Sequence, residues 1–159
     1  MYKAAVRWMI RRNIRALNAG DHRPVLAMFA DDLEFSFPGD NTWATEFRPL
    51  ARGRRAHVTH RGRAEMERFL QRYVAAGIQM EVEDILVNGP PWNLRAAVRC
   101  VVWSGGTSPG AADRYTNRAV LVVTSSWGRL RTQEDYEDTE RAAAFDALLS
   151  GASRISTSQ

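Results

Sequence analysis

The sequence is poor in cysteine and lysine, and it contains no long apolar run. Cys100 is the only cysteine among 159 residues, so no intrachain disulfide can form, and its apolar neighbours indicate a buried thiol rather than a catalytic one. No segment approaches the roughly 18 consecutive apolar residues of a membrane span, and the N-terminus lacks the apolar core of a signal peptide. We therefore expect a cytoplasmic protein that does not enter a membrane.

Arginine supplies nearly all of the positive charge, because Lys3 is the only lysine. The net charge of +4 and the guanidinium groups favour phosphate or carboxylate partners, but a GC-rich genome produces the same bias, so we do not expect nucleic acid as the partner. Lys3, Arg7, Arg11 and Arg15 follow one another at four-residue spacing. Such a stripe is typical of a solvated helix face, or of a surface for an acidic partner.

The composition predicts one folded domain. The chain is 45% hydrophobic and 25% charged, as globular proteins are, and its length suits a single core. We expect this domain to cover residues 1–149, and the tail 150–159, rich in serine and threonine, to be flexible.

The apolar spacing predicts helices first and strands afterwards. A three- and four-residue repeat indicates helices, and a two-residue alternation indicates strands, with a phase slip near Asp84 that a bulge would explain. The stretch 40–61 has no sustained period, which is more typical of a lid or binding loop than of filler. The predicted helices are 3–18, a short one after Asp21, 63–76 and an amphipathic segment within 138–149, and the predicted strands are 33–37, 78–87, 94–102, 115–123 and 130–136.

This order of elements, together with several short motifs, resembles the nuclear-transport-factor-2-like superfamily, particularly its SnoaL-like and ketosteroid-isomerase branches. The resemblance implies an α+β fold in which a curved antiparallel sheet wraps around N-terminal helices and forms a cone with an internal pocket. The matching motifs are Asn18-Ala19-Gly20-Asp21, Phe29-Ala30-Asp31-Asp32-Leu33-Glu34-Phe35, Arg61-Gly62-Arg63-Ala64, Trp127-Gly128-Arg129-Leu130 and Glu134-Asp135-Tyr136-Glu137-Asp138.

The resemblance does not carry over the residues of the ketosteroid isomerases. Those enzymes use a carboxylate base near the end of the first strand, a tyrosine from the first helix and a protonated aspartic acid on a late strand. Counted from the shared motifs, the tyrosine position falls on Asn13, the base position on Phe37 and the acid position near Ala119. We therefore do not expect steroid isomerisation by that set of residues.

The late segment is similar to the limonene epoxide hydrolases, in which an aspartate before a tyrosine helps to activate water. The corresponding residue here is Asp135, ahead of Tyr136. The arginine and second aspartate of that mechanism would lie at 101–103, which reads Val-Val-Trp, so the full hydrolase chemistry is not expected.

SnoaL-like cyclases imply a general acid or base in an apolar pocket, where burial raises a carboxyl pKa toward neutrality. The catalytic candidates are Asp40, just past the first strand, and Glu134 or Asp135 on the last strand. Simple alternation places Glu134 on the concave face with Tyr136, whereas the hydrolase resemblance favours Asp135. A bulge would reconcile the two.

Four aromatic or amide side chains are candidates for ligand contact: Trp43, Tyr115, Asn117 and Tyr136. The plainer interpretations are that Tyr115 and Asn117 satisfy one another, that Glu134 pairs with a neighbouring arginine, and that Asp40 is a turn residue. No metal site is expected, because His57 and His60 lack a third ligand, and no cofactor is expected.

Two functions remain open at this point. The first is a domain that binds a small apolar or polycyclic molecule and acts on it by acid–base catalysis as an isomerase, cyclase or hydrolase. The second is a non-catalytic ligand-binding or protein-interaction adaptor. We also expect a homodimer through the outer sheet face, with carboxylates such as Asp135 or Glu137 facing the partner's arginines. The predicted outer-face residues are Arg95, Arg99, Trp103, Arg118, Val120 and Val122.

Overall fold

The computed structural model describes residues 1–38, 57–112, 114–145 and 148, in which helices pack against one six-stranded sheet. The α+β class is therefore confirmed. In chain order the elements are α1 (Tyr2–Asn18), α2 (Arg23–Leu26), β1 (Phe29–Pro38), β2 (His57–Arg61), α3 (Arg63–Ala75), β3 (Ile78–Asn88), β4 (Leu94–Ser104), a 3-10 turn (Pro109–Ala111), β5 (Tyr115–Ser126), β6 (Arg129–Glu137) and α4 (residues 139–145).

The strands are arranged in the order β2-β1-β6-β5-β4-β3. All neighbouring pairs are antiparallel except β1 and β6, which run parallel. The phase slip predicted near Asp84 is present as a register shift between Val82 and Asp84 in β3.

The core lies between the concave face of the sheet and the helices. Alternation along β4 buries every second side chain from Leu94 to Val102, as the sequence predicts. On the other side, α1 contributes Leu17 and α3 contributes Phe69 and Leu70 to the same apolar cluster. The cone of the predicted fold class is formed in this way.

The first helix also covers the free edge of the sheet. Arg7 Nε donates to the Ile85 carbonyl at 3.0 Å, Arg11 donates to the Val82 carbonyl at 2.9 Å, and the Asn18 amide bonds both backbone groups of Met80. An unpaired strand edge is prone to pair with another chain, so these contacts protect β3. Arg7 and Arg11 are both exposed, as predicted for the basic stripe, and each also donates to the backbone of β3.

The largest differences from the predicted strands concern β1 and β2. β1 begins at Phe29 rather than at Leu33, because an irregular register against β6 between Phe29 and Glu34 interrupts the alternation that sequence reading needs. Part of the stretch expected to be irregular, His57–Arg61, is strand β2, paired with β1. The remainder of that stretch, including Asp40 and Trp43, lies outside the described residues.

The outer face of the sheet carries an exposed apolar group. Leu86 is 64% exposed, Val122 38% and Tyr136 45%, and strand register brings Leu86 and Val122 to either side of Ala97. Arg99 lies beside them but forms an ion pair of 3.0 Å with Glu83 of its own chain. The placement of Trp103 on an exposed outer face is wrong, because its side chain is buried.

Candidate functional site

A cavity of about 110 Å³ lies inside the cone, between the concave face of the sheet and helices α1 and α3. Its walls are mostly aliphatic and aromatic, as in small-molecule sites generally. The polar side chains that line it are Asn13, Tyr73, Gln133 and Asp135.

A bulge in β6 points Asp135 into this cavity. Thr132 pairs with Thr124, but Leu130 pairs with Ser125, so Arg131 is an extra residue in the strand. An extra residue reverses the faces on which all later side chains lie. Leu130 is therefore buried on the inner face and Asp135 also faces inward, although their numbers differ in parity.

The apolar surroundings change the acidity of Asp135. Burial raises its pKa to about 8; the hydrogen bond from Gln133 opposes this rise, and the negative charge of Glu137 adds to it. The residue keeps some accessible surface because it faces the cavity, yet protein atoms surround its carboxyl group. At neutral pH this carboxyl is therefore largely protonated.

Asp135 is held in place from its own strand. Gln133 Nε2 donates to Asp135 Oδ1 at 2.9 Å, and the two side chains share a face because they lie two residues apart. Among the described residues no other side chain hydrogen-bonds to Asp135.

Two further polar groups reach the cavity from the helices. Tyr73 on α3 is buried, and burial, followed by the effects of Cys100 and Asp135, raises the pKa of its hydroxyl well above the usual value. It therefore stays protonated as a hydrogen-bond donor. Asn13 on α1 is also buried, and its amide nitrogen contacts Met28 Sδ and the Pro24 carbonyl.

A second polar cluster lies farther along the concave face. The Asn117 amide donates to the Tyr115 hydroxyl at 2.9 Å and to Glu137 Oε2 at 3.4 Å, and the Tyr115 hydroxyl lies 3.3 Å from the same oxygen. Phe145 of α4 stacks on Tyr115 with ring centroids 4.5 Å apart. These contacts match the interpretation in which Tyr115 and Asn117 satisfy one another, and neither residue lines the cavity that holds Asp135.

The expected positions of four residues need correction. Glu134 and Tyr136 do not face the pocket: both are exposed on the outer face, where the Tyr136 hydroxyl bonds Glu134 at 2.8 Å, because the bulge reverses simple alternation. Asp135 and Glu137 face inward and therefore do not lie on the outer surface expected to meet a partner's arginines. The candidates Asp40 and Trp43 belong to residues 39–56, which are outside the description.

Three residues that line the cavity, Asn13, Tyr73 and Gln133, were not among the sequence candidates for the site, and neither was Glu137 of the second polar cluster. Asn13 occupies the position counted for the isomerase tyrosine, and this position does face the cavity. Tyr73 could have been recognised, because it is a phenol on the face of α3 that the apolar repeat predicts to point inward. Gln133 and Glu137 share the parity of Asp135 and would have been found with it once the bulge was placed.

Other reactive side chains give no second centre. Burial raises the pKa of the Cys100 thiol to about 12, and its Sγ lies 3.5 Å from the Ala119 carbonyl. Within 1–38, 57–112 and 114–145 no group of three or more histidine, cysteine or acidic side chains is placed to hold a metal ion. His60 is buried in β2, 3.6 Å from a Glu65 carboxyl oxygen.

No helix in the described part of the chain is long and apolar enough to cross a membrane.

Comparison with known proteins agrees with the fold. A family model for a SnoaL-like domain matches residues 10–132. The structure of Bal32a, from a soil-derived mobile gene cassette, is 18% identical with a TM-score of 0.60, covering 87% of this chain and 93% of its own. A loop-truncation variant of IdmH is 20% identical with a TM-score of 0.60, covering 86% and 94%.

An NTF2-like protein from Burkholderia xenovorans LB400 is 20% identical with a TM-score of 0.53, covering 87% of this chain and 93% of its own. A comparison with curated proteins gave no match. At these identities the solved structures speak for the fold alone.

Proposed function

This chain belongs to the SnoaL-like domain family, and we propose that it binds a small apolar molecule in its inner cavity and acts on it by acid–base catalysis. The observation that carries the proposal is the Asp135 carboxyl, which sits in an apolar cavity with a pKa of about 8. General acid–base catalysis is most effective when the pKa of the group lies near the working pH.

The polar groups support a division of roles. In its protonated form Asp135 can donate to a carbonyl or hydroxyl oxygen of the ligand, and in its ionised form it can accept a proton from carbon or water. Tyr73 remains protonated, so its role would be to donate a hydrogen bond to an oxygen on which negative charge develops. Gln133 is a positioning residue, because it acts through Asp135.

The size of the cavity bears on the substrate. An engineered protein cavity of about 150 Å³ is large enough to hold benzene, so about 110 Å³ holds a fragment no larger than one small ring. We therefore place a single ring or a short chain beside Asp135 and do not place a polycyclic skeleton in this cavity.

A test that needs no natural substrate is proton exchange on cyclohexanone. We expect the protein to speed exchange of the hydrogens next to the carbonyl for deuterium, followed by proton NMR in heavy water, by about a hundredfold or more over buffer. The rate should rise toward pH 8 and then level, because the ionised carboxyl is the base.

The control uses the neighbouring carboxylate. Asp135→Asn should return exchange to the buffer rate, whereas Glu134→Gln should leave it unchanged, because Glu134 is exposed on the outer face. Equal exchange in wild type and Asp135→Asn would refute the role of Asp135. Binding of cyclohexanone without any exchange would favour the second candidate, a non-catalytic binding module.

A further inference from the structure

The inner cavity shares a wall with a second apolar depression. A groove of about 250 Å³ lies between the first turns of α1 and the ends of β4, β5 and β6. Ile10, Met28, Val123 and Leu130 line both the groove and the cavity that contains Asp135. The two spaces are therefore neighbours that share these four side chains.

One face of α1 runs along both spaces. Val6 and Met9 line the groove, Ile10 lines both, and Asn13 lines the cavity one turn further on. Positions three and four apart on a helix lie on one face, so the stripe that closes the cavity continues as the floor of the groove.

The dividing wall includes a side chain that moves easily. Met28 is only partly buried, and methionine is unbranched with three rotatable bonds, so it adapts to irregular spaces. Of the four shared side chains, Met28 is therefore the one best able to change conformation.

The lining of the groove is uncharged. None of the described residues that line it is acidic or basic, and among them the hydroxyls of Tyr2 and Ser125 are the only polar side-chain groups. A charged or phosphorylated group would lose its hydration there without a partner, whereas an aliphatic chain would gain from leaving water.

We propose that the groove is the tail subsite of the cavity, so that the protein takes an elongated, uncharged aliphatic molecule. Its carbonyl or hydroxyl end lies at Asp135, and its chain passes Met28 into the groove beside Ala5 and Met9. This assignment rests on the proposed function only in placing the polar end at Asp135.

Binding of methyl ketones of increasing length tests the proposal. Titration calorimetry with 2-butanone, 2-hexanone, 2-octanone and 2-decanone should show affinity rising with length, by up to about fourfold per added methylene that becomes buried. The shortest ketone fits the inner cavity alone, so its affinity sets the baseline.

A matched pair of variants locates the chain. Ala5 and Ala4 are both exposed on the same turn of α1, but only Ala5 lines the groove. Ala5→Trp should weaken 2-octanone and 2-decanone at least tenfold and leave 2-butanone unchanged, while Ala4→Trp should behave as wild type. Circular dichroism of both variants checks that α1 is intact.

The outcomes separate this proposal from the catalytic one. A length dependence that Ala5→Trp does not alter, or affinity that stops rising at 2-hexanone, would overturn the tail subsite even if Asp135-dependent exchange is observed. A length dependence abolished by Ala5→Trp would support it, and it would do so even if cyclohexanone exchange proved independent of Asp135.

Discussion

Replacing Asp135 by asparagine should make the protein more stable than wild type, and increasingly so as the pH rises from 5 to 7. Asparagine keeps an oxygen that can accept the Gln133 hydrogen bond but cannot ionise. The raised pKa of about 8, against about 3.9 in an unfolded chain, means that the folded state retains a proton which the unfolded state has lost.

The sign follows from proton linkage. Between the unfolded and the folded pKa the folded state binds one more proton, so the free energy of unfolding falls by about 1.4 kcal/mol per pH unit as the pH rises. This loss begins near pH 4 and ends above pH 8. The asparagine variant has no such slope from this position.

Between pH 5 and pH 7 an ideal buried carboxyl would widen the difference in unfolding free energy between the two proteins by about 2.7 kcal/mol. Asp135 keeps some surface toward the cavity, and water there screens part of the cost, so we expect roughly 1 to 2.5 kcal/mol. The ionisable group is a poor contributor to stability here, which is common where a residue is retained for function.

Urea unfolding followed by far-ultraviolet circular dichroism at pH 5, 6 and 7 measures this difference. The control is Glu134→Gln, which removes a carboxylate on the outer face and leaves Asp135 in place, so it should keep the wild-type fall in stability with rising pH. If the difference between Asp135→Asn and wild type does not change with pH, the carboxyl is not buried as described, and the acid–base role loses its physical basis.

Two further predictions concern other parts of the fold. Cys100 should resist thiol reagents in the native state and react fully in denaturant, because burial raises its thiol pKa to about 12; rapid native labelling would show an open core at β4. We also propose the homodimer through the outer sheet face: sedimentation at micromolar concentration should give twice the chain mass, and Val122→Glu should weaken it. Val122 is a better site than Arg99, which is engaged with Glu83 of its own chain, and a monomeric wild type would assign that face to solvent.

Regular alternation was enough to predict the main strands. In β4, where alternate side chains from Leu94 to Val102 are buried, the pattern and the structure agree residue by residue. The bulge in β3 could also be predicted, because the apolar phase changes visibly between Val82 and Ile85. Strong burial on one face leaves a pattern that a single sequence can reveal.

The same reasoning failed on β6, where the site lies. The extra residue is Arg131, flanked by Thr132, and neither is apolar enough to mark a change of face. Alternation counted from Leu130 therefore selected Glu134, whereas the structure turns Asp135 inward. Polar residues in a cavity interrupt the apolar pattern by which faces are recognised, so functional positions are those that sequence reading assigns least well.

The placement of the polar groups limits where a substrate can react. The residues of β5 that line the cavity are Leu121 and Val123, neither of which can donate or accept a hydrogen bond through its side chain. The donors and the carboxyl instead come from β6 and from the helices, through Asp135 and Tyr73. Under the proposed function we therefore expect the reactive end of the ligand to lie between β6 and α3 and its apolar body to face β4 and β5. The groove opens at the ends of those same strands, so we expect a long substrate to enter from that side. Its polar end would enter first and reach Asp135 at the end of this movement.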